Sequence, residues 1–184
     1  MAVDVEAISK GQIHWYIAVI FVTIGTDRHP FNRIFAWIRQ AREQKIIAYD
    51  ERIVVQYGYT KGDWHDFEAY SFLPFDEMIR FFRVADLVIT HGSSTALLVV
   101  RYGKIPLVVP RRKHLGEHVD DHQWEFVEST QQVLPFVVAR TTSDFFSALT
   151  DRKFVTHIPG EFESGGRSAA VDRFARLFTD LLNR

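Results

Sequence analysis

The chain has 184 residues, about 1.2 times the roughly 150 of a typical domain, and so reads as one domain with a remainder. With 47% hydrophobic and 14% aromatic residues it has ample material for a packed core, which excludes a mainly disordered chain. The 22 basic and 23 acidic residues leave a net charge of −1, excluding a global field for nucleic acid or an anionic membrane, and zero cysteines exclude disulfides, cysteine–zinc sites and thiol catalysis.

Residues 1–17 read as an N-terminal extension in which Asp4 and Glu6 stand against Lys10, opposite to the basic start of a secretion signal. The longest apolar stretch, Ile13 to Ile24, is interrupted by His14 and Thr23 and is shorter than the roughly 20 residues a spanning helix needs, so a soluble intracellular domain is expected. Ala18 to Ile24 is a β-branched and aromatic run, the pattern of a strand buried on both faces. After Pro30, the spacing of Phe31, Ile34, Phe35 and Ile38 predicts a helix. Short strands follow at Ile53 to Gln56 and Ala69 to Phe72, a helical stripe at Phe75, Met78, Ile79 and Phe82, and a third buried strand at Asp86 to Thr90. A helix from about Thr95 to Tyr102 stops at Gly103; a strand at Ile105 to Pro110, a helix at Glu117 to Glu128 and a strand at Pro135 to Val138 complete the alternation. The expected fold is an α/β sheet, mostly parallel, with helices on both faces, over residues 18–158. Residues 159–184 read as a glycine-bearing linker and an amphipathic helix, Ala170 to Leu182, that packs on its own sheet or meets a partner.

Two loops at carboxyl ends of strands carry phosphate-binding chemistry. In the first, Gly25 and Thr26 precede Asp27, Arg28 and His29: glycine lets the backbone approach a ligand, and the following helix start offers free N–H groups. In the second, THGSST at 90–95, Gly92, Ser93, Ser94 and Thr95 surround one helix start and His91 adds a ring donor. Singly these are also plain turns or N-caps; paired at one sheet edge they point to a diphosphate. The G-x-x-x-x-G-K-[ST] motif is absent, which excludes a P-loop ATPase.

A third cluster, GEHVDDHQ at 116–123, follows the basic run Arg111 to His114. His118 and His122 would share a helix face, where they could chelate zinc with Asp121 nearby; the H-E-x-x-H order is missing, and no metal is expected. The same side chains suit hydrogen bonds to sugar hydroxyls, or a solvated helix start whose acids match the dipole. The run Arg111 to Lys113 reads as a contact for an acidic sugar or as a solvated or membrane-facing loop.

Taken together, VTIGT at 22–26 with PFNR at 30–33, DLVITHG at 86–92, GKIPLVVP at 103–110 and GEHVDDHQ at 116–123 resemble the carboxyl-terminal domain of glycosyltransferase family 28, in order and spacing from about Val19 to Glu128. The nearest branch by these motifs is that of the catalytic subunit of the two-subunit UDP-N-acetylglucosamine transferase of dolichol-linked glycan assembly, with its bacterial exopolysaccharide counterparts. The resemblance implies a Rossmann-like GT-B half that binds a UDP-sugar. Gly25, Thr26, His91, Gly92, Ser93, Ser94 and Thr95 would then face the diphosphate, Phe75 and Met78 the uracil, and Asp121, His122 and Gln123 the donor sugar. Leu98 stands where related enzymes place a ribose-binding glutamate.

The implied reaction is metal-independent inverting transfer, with no cofactor besides the UDP-sugar substrate. The base would come from the acceptor-binding half or, on local chemistry, from Glu117 or His118. The 184 residues leave no room for an acceptor half, so the expected partner is a membrane-anchored acceptor-binding subunit working on a lipid-linked saccharide, with the chain peripheral at the cytoplasmic face and no nucleic acid involved. Alternatives are a non-catalytic nucleotide-sugar-binding regulatory module and a nucleotide-sugar epimerase.

Overall fold

The computed structural model describes residues 19–151. The expected extension at 1–17, the linker from 159 and the helix over 170–182 lie outside the described residues. Six strands, β1 (Val19–Thr23), β2 (Arg52–Gln56), β3 (Glu68–Tyr70), β4 (Leu87–Thr90), β5 (Leu107–Val108) and β6 (Val137–Val138), form one sheet in the order β3-β2-β1-β4-β5-β6. Every pairing is parallel, with Phe21 opposite both Val54 and Val88 at the centre. The five helices are α1 (Asn32–Glu43), α2 (Phe75–Val84), α3 (Ser94–Arg101), α4 (His122–Thr130) and α5 (Thr142–Asp151).

Period-two alternation along the strands divides the core. Ile20, Val22, Ile53, Val55, Leu87 and Ile89 pack with Ile34, Phe35 and Ile38 of α1 and Phe145 of α5 on one face. Phe21, Val54 and Val88 point the other way, onto Phe81 and Phe82 of α2 and Val99 of α3. Ala96, Val108 and Val127 join α3, β5 and α4 in a smaller cluster. Each of these large side chains removed from water stabilises the fold by about 1.5–3 kcal/mol. Among the described residues no helix is long and apolar enough to cross a membrane.

Two expected elements differ, and one further element was not expected. The strand read over 105–110 is only Leu107–Val108, flanked by Pro106 and Pro110, whose nitrogens have no hydrogen to give a ladder. The helix expected from Glu117 begins at His122, where the Asp120 carboxylate accepts from the His122 amide at 3.2 Å, a local side-chain-to-backbone bond that competes with an earlier helical turn. Helix α5 was not anticipated, although its start is a reciprocal cap. Asp144 Oδ2 accepts from the Thr141 amide at 2.9 Å, and the Asp144 amide donates to Thr141 Oγ1 at 3.1 Å.

Arg111, expected at the surface, is wholly buried. Its Nη1 donates to the carbonyls of His29 and Glu117, both at 2.8 Å, and its Nη2 to that of Ile24 at 2.9 Å. The guanidinium lies 4.7 Å from the centre of the Phe31 ring, a cation–π contact. One side chain thus fastens the loop after β1 to the loop after β5. Arg111→Met fills similar volume but leaves three carbonyls without donors; it should cost about 3–5 kcal/mol in urea unfolding, against under about 1 kcal/mol for the neighbouring, half-exposed Arg112→Met.

Candidate functional site

A cleft of about 690 Å³ opens at the carboxyl ends of β1 and β4. These are the neighbours at which the strand order reverses, and open parallel sheets leave room for a ligand there. Gly25, Thr26, Asp27 and Arg28 line it from the loop after β1, Ser93, Ser94 and Thr95 from the start of α3, His118 and Gln123 from around the start of α4, and Phe72, Phe75 and Met78 from the segment entering α2. Of the residues expected to face a diphosphate, all but Gly92 line the cleft, and both expected uracil contacts do.

Gly25 has φ +75°, and a Cβ there would stand 2.7 Å from Cε1 of His91. The loop turns directly over the His91 ring, so only glycine fits both the backbone and the space. Its carbonyl accepts from Gln56 Nε2 at 3.1 Å, while Gln56 Oε1 accepts from Thr23 Oγ1 at 2.5 Å. A buried amide at the end of β2 therefore sets the loop after β1. Gln56 was not singled out from sequence, though an amide closing an otherwise apolar strand is a readable signal.

His91 is buried, with Nε2 2.7 Å from Ser93 Oγ and Nδ1 3.3 Å from Thr90 Oγ1. Burial, reinforced by the nearby Arg111 charge, pushes its pKa down to about 3, so the ring is neutral. Ser93 caps α3 by accepting from the Thr95 amide at 3.2 Å. The first turn of α3 carries no acidic side chain to offset its positive end. Hydroxyls and a helix N-terminal end converge there, a chemistry that suits an anion.

Gly92 acts differently: a Cβ on it would lie 2.7 Å from the Gln123 carbonyl and 2.9 Å from Val127, so it seats α3 against α4 rather than lining the cleft. Leu98 packs against the apolar cluster between the sheet, α2 and α3.

The third cluster is rearranged relative to expectation. Glu117 does not face the cleft; it is buried, and its carboxylate pairs with Arg33 through Nε at 2.8 Å and Nη2 at 2.7 Å and accepts from the Arg112 amide at 3.0 Å. A carboxylate so occupied anchors the loop and is not a free base. Asp121 and His122 also lie outside the lining, Asp121 holding the Lys113 amide and His122 reaching solvent. Gln123 faces the cleft; its Oε1 accepts from the Arg111 amide at 3.2 Å, which leaves its amide nitrogen as the donor on that side.

His118 lines the cleft with Nε2 3.3 Å from Asp27 Oδ2 and Nδ1 3.0 Å from Asp120 Oδ1. Asp27 also accepts from the amide of His29 at 2.7 Å and from its ring at 2.8 Å. Partial burial would raise the Asp27 pKa, but those contacts, with Arg111 and His118, hold it below the ordinary carboxylate value. The sequence alone assigns Asp27 no role, because its partner His118 comes from a segment some ninety residues away.

His91 predicts a pH dependence. Its folded pKa lies below the unfolded value of about 6.5, so the unfolded chain takes up a proton that the folded one refuses, and the contribution is present above pH 6.5 and lost as pH falls towards about 3. The stability difference between the native chain and His91→Asn, from urea midpoints, should shrink by about 1 kcal/mol per pH unit below 6.5. Parallel profiles would contradict a neutral buried ring.

The family model of the glycosyltransferase family 28 C-terminal domain matches residues 19–150, the whole described sheet with all five helices. The comparison with curated proteins finds no match. The chain belongs to glycosyltransferase family 28, and residues 19–150 are its C-terminal domain, a module for the nucleotide-sugar donor.

Proposed function

We propose that this chain is the donor-binding subunit of an inverting glycosyltransferase that takes a UDP-sugar and passes the sugar to a lipid-linked saccharide held by a second, membrane-anchored subunit. The observation that carries the reading is the cleft over β1 and β4. Its Gly25 loop and the amino-terminal end of α3, whose first turn carries no acidic side chain, bring backbone and hydroxyls to one cleft that the neutral His91 also lines. Phe75 and Met78, across the cleft, supply an apolar surface for a flat base, and Gln123 a donor for a sugar hydroxyl.

In this reading the chain's catalytic contribution is electrostatic. As the bond from the anomeric carbon to the diphosphate oxygen breaks, negative charge grows on the leaving UDP. The loop amides and the dipole of α3 are already oriented towards it and need no rearrangement. An acceptor hydroxyl attacks from the opposite face and gives up its proton. Glu117 is tied to Arg33 and both ring nitrogens of His118 face carboxylates, so the proton acceptor is assigned to the partner subunit. The matched module is by description a C-terminal domain, which fits a division of labour with a separate acceptor half.

The test is donor binding. UDP at millimolar concentration should raise the melting temperature by about 4–8 °C, and UMP less, since binding to the folded state alone stabilises by mass action. Gly25→Val, which crowds His91 and forces the strained loop, should weaken UDP at least about tenfold in titration calorimetry. No response to any uridine nucleotide would sink the reading. Binding without transfer, when the chain is co-expressed with an anchored acceptor subunit, would favour a non-catalytic nucleotide-sugar module, to which the apolar Leu98 also inclines.

A further inference from the structure

We propose that His118, Asp120 and His122 bind a divalent transition-metal ion of the zinc–cobalt class at the rim of the cleft. One ligand atom from each residue lies within 4.8 Å of the others. The 3.0 Å between His118 Nδ1 and Asp120 Oδ1 is close to the separation of about 3.3 Å between ligands around tetrahedral zinc. His122 Nδ1 faces the same carboxylate oxygen.

The contacts around the cluster give a second argument. His118 has carboxylates at both ring nitrogens, Asp120 at Nδ1 and Asp27 at Nε2. Asp120 Oδ1 meanwhile faces both imidazole Nδ1 atoms and the His122 amide. A cation at the Nδ1 side suits this arrangement. It takes the lone pairs of the two imidazoles and the charge of Asp120, and frees the His118 Nε2–H to donate to Asp27. A carboxylate behind a metal-bound histidine is the ordinary supporting arrangement.

The His118 side chain is only 9% exposed and so is held in place, whereas Asp120 and His122, at 52% and 58%, leave an entry path and a fourth position open to water or a ligand oxygen. Two imidazoles select zinc, cobalt or nickel over magnesium and calcium. The ion would tie the loop before α4 to the first residue of that helix, and the site stands whether or not the donor is a UDP-sugar.

The test uses the full chain, stripped with a chelator and titrated with zinc, cobalt or magnesium chloride. Zinc should bind one per chain and raise the melting temperature by about 4–8 °C, magnesium should not, and cobalt should give a visible absorption band. His122→Ala and Asp120→Asn should lose the zinc shift and the cobalt band. His65→Ala, at the separate exposed group with Asp63 and Asp66, should keep both. The cobalt band decides alone if a variant melts early without metal. Absence of stoichiometric zinc, retention of the band in His122→Ala, or its loss in His65→Ala would each overturn the proposal.

Discussion

Arg111 carries its guanidinium out of contact with water and satisfies it mainly with main-chain carbonyls, those of Ile24, His29 and Glu117. A buried charge of this kind is tolerated only where its partners are held in place, so it fixes three points of two loops at once. Ile24 precedes the glycine that turns over His91, His29 follows the aspartate that meets His118, and Glu117 adjoins His118 itself. The Arg33–Glu117 pair extends the same clamp to α1. Removing one of these partners exposes the others to an unmet demand, which makes the cleft wall one cooperative unit rather than three separate loops.

The sheet was legible because its signal is local. Apolar runs such as Val19–Thr23 and Leu87–Thr90 are hydrophobic on both faces, and few structures besides a central parallel strand want that. The loops Gly25–Thr26 and Ser93–Thr95 stood out only as a pair: each alone is an ordinary turn or N-cap, but both follow strands of one parallel sheet, and both line the cleft. The third cluster was not, since its fate depends on residues distant in the chain. Nothing around Glu117 says that Arg33 will claim it, and a basic run such as Arg111 to Lys113 looks solvated until its carbonyl partners are assembled. Similarly, α5 begins with a Thr141–Asp144 cap whose spacing was readable but whose apolar content, Phe145, Ala148 and Leu149, is modest on its own.

The chain is a family 28 C-terminal domain with a cleft over β1 and β4, and the residues lining that cleft sort by what surrounds them. Gly25, His91 and Ser93 are fixed by packing and hydrogen bonds that exist without any ligand, so the anion end of the cleft is preformed. Phe75, at 59% exposed, is not fixed in this way. Affinity should accordingly come from the rigid end and discrimination among bases from the looser one.

The close seat of Gly92 against the Gln123 carbonyl has a consequence beyond packing. It seats the start of α3 directly against α4, so that Ser93, Ser94 and Thr95 of the one and Gln123 of the other line a single cleft. A side chain at position 92 would meet the Gln123 carbonyl and Val127 and force the two helices apart, so the shape of the cleft depends on a residue that does not line it.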